Sequence, residues 1–481
     1  MLGVRTAGIL MHPTSLPATG AAIGIGDLGP TARRFVDWMA RAGLRRWQML
    51  PIGPVGEGDS PYSPLSSFAM EPMLISIADL VREGLLPRSA LGSDVSASAS
   101  ASWSAARRWK TPRLHAAFGR FQRSRGRIGP RGDAYRVFVD TNGDWLESWC
   151  AFAADRASPA ADPIEREEAY HAFVQFVLDR QWEALRRHAR DRNIGLVGDL
   201  PIFCGADSAD VWSRPDLFRL DRSGRPTVQT GCPPDAFTRD GQLWRHPHYR
   251  WSVHSADDFA WWRRRVAVTL RRFDLVRIDH FIGFVRAYEI PGDATNARRG
   301  RWGRTPGRDL LAAIVKDVGA LPFIAEDLGD VTPAVHRLRD DFELPGMRIL
   351  QWAFFDDTGR SRDLPHNYPP HSVVYPGTHD NDTIAGWYRS LPKPVRARFQ
   401  AYGGTEAGRD PAATMTRLAF TSPADTAIVQ MQDLLGLGRS ARMNVPGRAR
   451  GNWRWRAAAS DLGSRFADAL RTVLHASGRL N

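Results

Sequence analysis

The stretch "FDLVRIDHFIGF", residues 273–284, is a largely apolar run in which Arg277, Asp279 and His280 fall within four positions. Alternate residues of a β-strand point to the same side, so Arg277 and Asp279 share one face. Strands that are apolar on both faces are typical of parallel sheets covered by helices. The stretch therefore predicts a buried parallel strand whose carboxyl end carries polar groups.

Seven more short apolar segments, each ending in polar, Gly or Pro residues, occur along the chain. They are 7–16, 45–53, 194–203, 321–329, 347–355, 372–382 and 426–435. Amphipathic stretches with helical spacing, such as 32–42 and 310–318, lie between most of them. Eight helix-connected strands predict a (β/α)8 TIM barrel of α/β class, and a doubly wound sheet is the alternative.

Two gaps between these segments are too long for simple strand-helix units. Residues 76–190 have helical spacing and predict an inserted, mostly helical subdomain. Residues 204–260 are rich in Gly, Pro, Asp and aromatic residues, and we expect long loops there over one end of the barrel. The whole chain, 1–481, is interpreted as a single catalytic barrel with these two insertions.

The composition narrows the function classes. The 481 residues carry a formal net charge of +13, which attracts polyanions, but the basic residues are scattered and no nucleic-acid-binding motif accompanies them. The three cysteines have no C-x-x-C spacing, which fits a reducing compartment. We find no run of about 18 apolar residues. We therefore expect a cytoplasmic protein that binds neither nucleic acid nor membranes.

Acidic residues follow several of the predicted strands. They are Asp199, Asp279, Glu326, Asp327 and Asp380. Each one alone is explained by a helix N-cap. In a (β/α)8 barrel, however, the carboxyl ends of all strands meet at the active-site face, so these side chains converge there.

Glycoside cleavage is a reaction that needs two carboxyl groups in different protonation states. Asp279 is the candidate nucleophile, because Arg277 on the same side of the strand favours its ionised form. Glu326 follows the apolar "PFIA" and is the candidate acid/base with a raised pKa. Asp380, together with His379, is the candidate for holding sugar hydroxyls and stabilising the transition state.

Aromatic side chains in polar loops are candidates for stacking on sugars. Tyr62 lies in "GEGDSPYS" and Trp244 in "GQLW", and both loops are expected to overhang the barrel. Both residue types are also common in cores and interfaces.

Three other functions fit parts of this pattern. A hydrolase with the same carboxylates is the nearest rival. A polyanion-binding barrel without catalysis is suggested by the charge alone. A metal-dependent hydrolase would use His12, His280 and His379, but the H-x-H and H-E-x-x-H spacings are missing.

The chain resembles the 4-α-glucanotransferases of glycoside hydrolase family 77, the amylomaltase or disproportionating-enzyme group. The resemblance runs from about residue 7 to about residue 456. It is carried by "GILMHPTSLP", "GIGDLGP", "WQMLPIGP", "GDSPY", "GDLPIF", "DSADVW", "PPDAF", "GQLW", "RIDHF", "IAEDLG", "GTHDNDT", "QDLLGLG" and "RMNVPG…GNWRWR".

The resemblance implies a barrel with insertions and no C-terminal β-domain, and transfer of α-1,4-glucan segments with retention. The resemblance implies neither a cofactor nor a metal. The implied partners are α-1,4-glucans and maltooligosaccharides, with glucose or maltose as acceptor. We expect the chain to be a monomer or weak homodimer.

The resemblance assigns Asp279 as nucleophile, Glu326 as acid/base and Asp380 as transition-state stabiliser. The implied substrate-binding residues are Ser60, Tyr62, Asp199, Asp235, Gln242, Trp244, Arg277, His379 and Asn452.

Several positions depart from the pattern of that family. Ala236 replaces an aromatic residue in "PPDAF", Arg245 and His246 follow "GQLW", and Met70 and Glu71 stand in "FAMEP". We expect all of these segments near the barrel mouth, where they would affect glucan length and acceptor choice rather than the chemical step.

Overall fold

The computed structural model of the protein describes residues 3–17, 23–92, 100–124, 131–157, 163–234 and 238–480. Twelve β-strands occur within these ranges. They are β1 (Thr6–Leu10), β2 (Arg46–Gln48), β3 (Gly195–Leu200), β4 (Val228–Cys232), β5 (Gln242–Pro247), β6 (Leu275–Ile278), β7 (Arg286–Pro291), β8 (Arg301–Arg304), β9 (Phe323–Ala325), β10 (Gly346–Ile349), β11 (Ser372–Tyr375) and β12 (Thr426–Gln430).

Eight of these strands close into a parallel barrel. Its order is β1, β2, β3, β6, β9, β10, β11 and β12, with β12 pairing back to β1. Each predicted segment overlaps one barrel strand, so the predicted (β/α)8 barrel is confirmed. The doubly wound alternative is wrong, because a doubly wound sheet has two open edges and this one has none.

Helices surround the barrel. Helix α1 begins with a proline at its first position, and its C-cap Gly43 has a φ of 85°, so both ends are encoded locally. No helix in the described ranges is both long and apolar enough to cross a membrane. The helices are α1 (Pro30–Ala42), α2 (Ile77–Arg82), α3 (Trp103–Arg123), α4 (Arg131–Asp155), α5 (Ile164–Arg190), α6 (Ala209–Ser213), α7 (Trp251–Ala256), α8 (Ala260–Arg272), α9 (Gly307–Val318), α10 (Pro333–Asp341), α11 (Ile384–Ser390), α12 (Lys393–Gly403), α13 (Pro411–Thr421), α14 (Met431–Leu434) and α15 (Ser464–Ala476).

Strand β6 shows how the barrel orients its side chains. Leu275 belongs to the apolar cluster inside the barrel, whereas Val276 and Ile278 belong to the larger core shared with the helices. Because the strand alternates, Arg277 points inward with Leu275. The inward face of β6 therefore changes from apolar to charged as it approaches the carboxyl end of the strand.

The two long gaps contain different structures. Helices α2 to α5 lie between β2 and β3, whereas residues 204–260 contain β4 and β5 as well as α6 and α7. We expected loops in 204–260, but β4 and β5 join β7 and β8 in a four-stranded antiparallel sheet. Its other two strands come from residues 286–304, after β6. The division into a barrel and two inserted subdomains stays our proposal.

The glycine spacing of "GIGDLG", residues 24–29, has a packing explanation in this fold. A Cβ atom at Gly26 would lie 2.1 Å from the carbonyl oxygen of Pro13, and one at Gly29 would lie 2.1 Å from Ser76 Oγ. Neither position tolerates a side chain. The spacing matches that of a dinucleotide-binding turn, but close approach of neighbouring chain segments accounts for these two glycines.

The start of the barrel is tied to the C-terminal part of the chain by Arg479. Its buried guanidinium donates to the carbonyl oxygens of Phe420 at 2.6 Å, Thr6 at 2.8 Å and Ala424 at 2.7 Å. These carbonyls lie next to β1 and β12, the strands whose pairing closes the barrel. Arg479 therefore satisfies backbone acceptors at the closure point.

We predict that Arg479→Ala lowers the free energy of unfolding by about 3 kcal/mol, because several buried carbonyls lose a charged donor. Urea denaturation followed by circular dichroism measures the change. Arg465→Ala, at an exposed position of α15, is the control and is expected to change stability by less than about 0.5 kcal/mol. Equal stability of both variants would contradict the role of Arg479.

Candidate active site

Arg277 lies at the centre of an acidic cluster at the carboxyl ends of the barrel strands. Its Nη1 donates to Asp199 Oδ1 at 2.7 Å and to Oδ2 at 2.8 Å. The same nitrogen lies 3.1 Å from Asp279 Oδ1, and Nη2 lies 3.2 Å from Glu326 Oε1. One buried guanidinium thus contacts three carboxyl groups.

The strand register explains why these groups meet. Asp199 of β3 is the direct partner of Arg277 in β6, so their side chains leave the sheet side by side on the same face. Ile278 pairs with Ala325 of β9, which places Asp279 and Glu326 at equivalent positions one residue later. Because Ile278 and Ala325 face outward into the larger core, alternation turns both carboxyl groups inward at the ends of neighbouring strands.

A backbone turn after β6 directs a hydrogen bond to Glu326. His280 adopts the left-handed conformation with a φ of 53°, which costs roughly 1–3 kcal/mol for a residue with a side chain. Its N–H donates to Glu326 Oε2. Trp244 packs edge-on against the ring of His280, with centroids 4.9 Å apart. The strained turn therefore connects Trp244 of β5 to the Glu326 carboxyl group.

Burial shifts the protonation of the carboxyl pair. It raises the pKa of Glu326 to about 7, with Arg277 and the N–H of His280 opposing the rise. Burial also raises the pKa of Asp279 above its ordinary value, against the lowering effect of Arg277, and Glu326 and Asp199 add to the rise. Since the single Arg277 charge also contacts Asp199, burial and the repulsion between the acids favour a proton on the Asp279–Glu326 pair.

Asp380 completes the acidic cluster from the loop after β11. Its charge raises the pKa values of both Glu326 and Asp279, which reflects its proximity to them. Its Oδ1 accepts a hydrogen bond from Asn444 Nδ2 at 2.6 Å, and its carbonyl oxygen accepts one from Arg442 Nη2 at 2.5 Å. The Asp380 side chain is 44% exposed, against 2% for Arg277, so it lies at the open side of the cluster.

Tyr62 and His379 form a wall beside the carboxyl groups. The Tyr62 hydroxyl donates to Asp199 Oδ2 at 2.7 Å, and its ring stacks on His379 with centroids 5.0 Å apart. Burial lowers the pKa of His379 and so favours its neutral form, although Asp380, 3.4 Å away, opposes this. Trp453 packs against both rings at 5.9 and 6.0 Å.

Three predicted binding residues have polar contacts within their own loops. Ser60 Oγ accepts the Tyr62 N–H at 3.3 Å, and Gln242 Oε1 accepts from Trp244 Nε1 at 3.1 Å. Asn452 accepts the Val445 N–H and donates to the Arg448 carbonyl, so it shapes its loop. The predicted residue Asp235 and the departure at Ala236 lie outside the described residues.

Sequence reasoning missed Asn444, Arg442 and Trp453. All three belong to "RMNVPG…GNWRWR", which carries part of the resemblance, but no spacing within that segment indicates contact with Asp380, which is 64 positions before Asn444. Among the residues that the structure describes, no three His, Cys, Asp or Glu side chains are grouped to hold a metal ion.

Two of the departures from the family pattern support the loop that carries Tyr62. Glu71 accepts the N–H of Val55 at 2.9 Å, where this loop begins. His246 Nε2 lies 3.0 Å from Ser63 Oγ, which ties the loop to β5. These substitutions thus act on the position of the loop rather than on the carboxyl groups.

Comparison with known proteins agrees with this geometry. The glycoside hydrolase family 77 model, described as 4-alpha-glucanotransferase, matches residues 11–165 and 155–461. The 4-alpha-glucanotransferase of Thermus thermophilus is 41% identical, with 99% of each chain covered, and that of Arabidopsis thaliana is 38% identical, with 99% of this chain and 86% of the relative covered.

Two solved amylomaltase structures superpose on this chain. Amylomaltase from Streptococcus agalactiae in complex with acarbose superposes with a TM-score of 0.91 at 33% identity, covering 99% of this chain and 100% of that one. Amylomaltase from Corynebacterium glutamicum shares the fold, with a TM-score of 0.81 at 18% identity over 99% of this chain and 75% of that one. The chain thus belongs to the 4-alpha-glucanotransferase family, glycoside hydrolase family 77.

Proposed function

We propose that this enzyme moves segments of α-1,4-glucan from a donor to an acceptor sugar, with retention, through a covalent glycosyl-enzyme. The observation that carries the proposal is the contact of one arginine, Arg277, with two neighbouring carboxyl groups, Asp279 and Glu326, whose pKa values are both raised by burial. Retaining glycosidases need one ionised and one protonated carboxyl group at the scissile bond. The family and its acarbose-bound relative support a glucan substrate.

In the first half-reaction, Asp279 is the nucleophile. Its carboxylate attacks the anomeric carbon, and the bond to the glycosidic oxygen breaks as Glu326 donates its proton to that oxygen. Burial favours the protonated form of both carboxyl groups and Arg277 the ionised form of both. The assignment of Asp279 as nucleophile and Glu326 as acid therefore follows the family motifs "RIDHF" and "IAEDLG". The donor fragment with the new chain end leaves, and the rest of the glucan stays bonded to Asp279.

Asp380 and His379 act on the same glucose unit. The carboxylate of Asp380, held by Asn444, accepts hydrogen bonds from sugar hydroxyls and stabilises the positive charge that develops on the ring. The neutral imidazole of His379, stacked on Tyr62, offers a donor or an acceptor beside it. Both contacts strengthen as the ring approaches the oxocarbenium-like transition state.

In the second half-reaction, Glu326 acts as a base. It removes the proton from an acceptor hydroxyl, which attacks the anomeric carbon and releases Asp279. Transfer rather than hydrolysis requires that acceptor sugar displaces water. Tyr62 and Trp244 are the proposed stacking surfaces, with Ser60 and Gln242 beside them.

The remaining assignments complete the proposal. Asp199 orients Arg277 and Tyr62, Asp235 contacts glucan hydroxyls, and Asn452 shapes the loop beside Asp380. We propose glucose or maltose as acceptors, no cofactor, and a monomer or weak homodimer in the cytoplasm. The three cysteines, which form no disulfide, are consistent with a reducing compartment.

Incubation with pure maltotriose tests the reaction directly. We expect glucose together with a ladder of oligomers longer than the substrate, because each transferred segment extends another chain. Chromatography of the products measures it. Products that are only shorter than maltotriose would identify a hydrolase instead.

The variant Asp279→Asn tests the nucleophile in the same maltotriose assay, because it keeps the shape of the side chain but removes the attacking carboxylate. We expect the rate of ladder formation to fall by about 10⁴-fold or more. An unchanged rate would remove Asp279 from the mechanism.

The proton on Glu326 predicts the alkaline limb of the pH profile. Activity requires the protonated form of Glu326, so kcat/KM should fall on the alkaline side as the pH rises through about 7. Asp199→Asn removes a negative charge that raises this pKa, so the fall should move to lower pH. Initial rates on maltotriose across the pH range measure the shift.

Tyr62→Phe is the control for that shift. This variant removes the hydrogen bond between the Tyr62 hydroxyl and Asp199 without changing any charge. We expect kcat/KM of Tyr62→Phe to fall at the same pH as that of the wild type, even if its rate is lower. A limb that moves equally in both variants would contradict an electrostatic origin.

A further inference from the structure

An open cavity of about 480 Å³ lies on the four-stranded sheet, away from the barrel strands. Three parts of the chain line it: the hairpin of residues 219–227, the beginning of α7, and the residues Glu289 of β7 and Arg304 of β8. None of the lining residues is a proposed glucan contact. Its volume falls within the range of small-molecule sites in proteins.

The cavity has an excess of positive charge. Arg219, Arg250 and Arg304 line it together with a single acidic residue, Glu289. The negative charge of Glu289 is already compensated by two ion pairs, because Arg219 Nη1 lies 2.6 Å from its Oε1 and Arg301 Nε lies 3.1 Å from its Oε2. Within the described ranges, Arg250 and Arg304 have no carboxylate partner, and both are exposed at the cavity.

The rest of the lining suits a sugar. The half-buried ring of Trp251 is held in place by Tyr249, with centroids 5.0 Å apart, and by Trp262 at 6.4 Å. A fixed aromatic surface of this kind packs against the C–H faces of a sugar ring. The hydroxyl groups of Thr227 and Ser252 and the Glu289 carboxylate also line the cavity and can bond to sugar hydroxyls.

We propose that this cavity binds a phosphate monoester of a sugar. The dianionic phosphate pairs with the guanidinium groups of Arg250 and Arg304, which supply the two charges and the planar donors that phosphate prefers. The sugar lies against Trp251. This site is separate from the proposed glucan-transfer site and does not depend on that assignment.

The cavity is connected to the barrel through Tyr249. The Tyr249 hydroxyl donates to the carbonyl oxygen of Ile202 at 2.8 Å, directly after β3, which carries Asp199. Tyr249 also follows β5, the strand that carries Trp244. Tyr249 therefore joins the lining of the cavity to the segment after β3 and to the strand from which Trp244 reaches His280.

Titration calorimetry of the wild-type enzyme tests the proposal with four probes. Glucose 6-phosphate represents a free sugar phosphate, and a maltooligosaccharide phosphorylated at one glucose represents an ester carried on a glucan. Inorganic phosphate tests the binding of the phosphate group alone, and glucose tests the binding of the sugar alone. We expect at least one of the esters to bind about tenfold or more tightly than inorganic phosphate; no binding of either ester would overturn the proposal.

Variants locate the binding. Arg250→Ala combined with Arg304→Ala should weaken ester binding by about tenfold or more, and the single Arg304→Gln, a milder change at an exposed position, should weaken it by a smaller factor. Arg465→Ala, at an exposed position of α15 away from the cavity lining, removes the same charge elsewhere and should change nothing. Unchanged ester binding in the double variant, or equal weakening by Arg465→Ala, would contradict the site.

Discussion

The contact of the Arg277 guanidinium with three carboxyl groups is the interaction on which the candidate site depends. A buried cation is tolerated only when it is paired and hydrogen-bonded, and Arg277, 2% exposed, has Asp199, Asp279 and Glu326 as partners. Three acids facing one arginine cannot all be ionised at low cost. The same burial that makes Arg277 necessary thus favours a proton in the cluster, and the proposed acid catalysis by Glu326 uses this proton.

Much of the geometry of the candidate site could be predicted from the sequence around β6. Alternation in "FDLVRIDHF" places Arg277 and Asp279 on one face, and the barrel topology brings neighbouring strand ends together. The support of Asp380 by Asn444 and Arg442 could not be predicted, because loop contacts between distant positions have no local period. The small sheet was also missed, since its strands are short and lie among Gly, Pro and Asp residues that are typical of loops.

The site combines a fixed centre with more variable surroundings. Parallel register between β3, β6 and β9 sets the positions of the central carboxyl groups, and a register slip would turn them away from one another. The loop that carries Tyr62, by contrast, is held by contacts such as those of Glu71 and His246. We expect changes in this loop to alter how glucan is held while the carboxyl groups stay in place.

The most direct measurement of the central claim is to identify the residue that becomes bonded to sugar. Glu326→Gln treated with α-maltosyl fluoride forms the intermediate, because fluoride leaves with little acid assistance, but cannot activate an acceptor to release it. Mass spectrometry of the peptides should find one maltosyl group on the peptide that contains Asp279. A maltosyl group on Asp199, Asp380 or any other carboxylate would contradict the account.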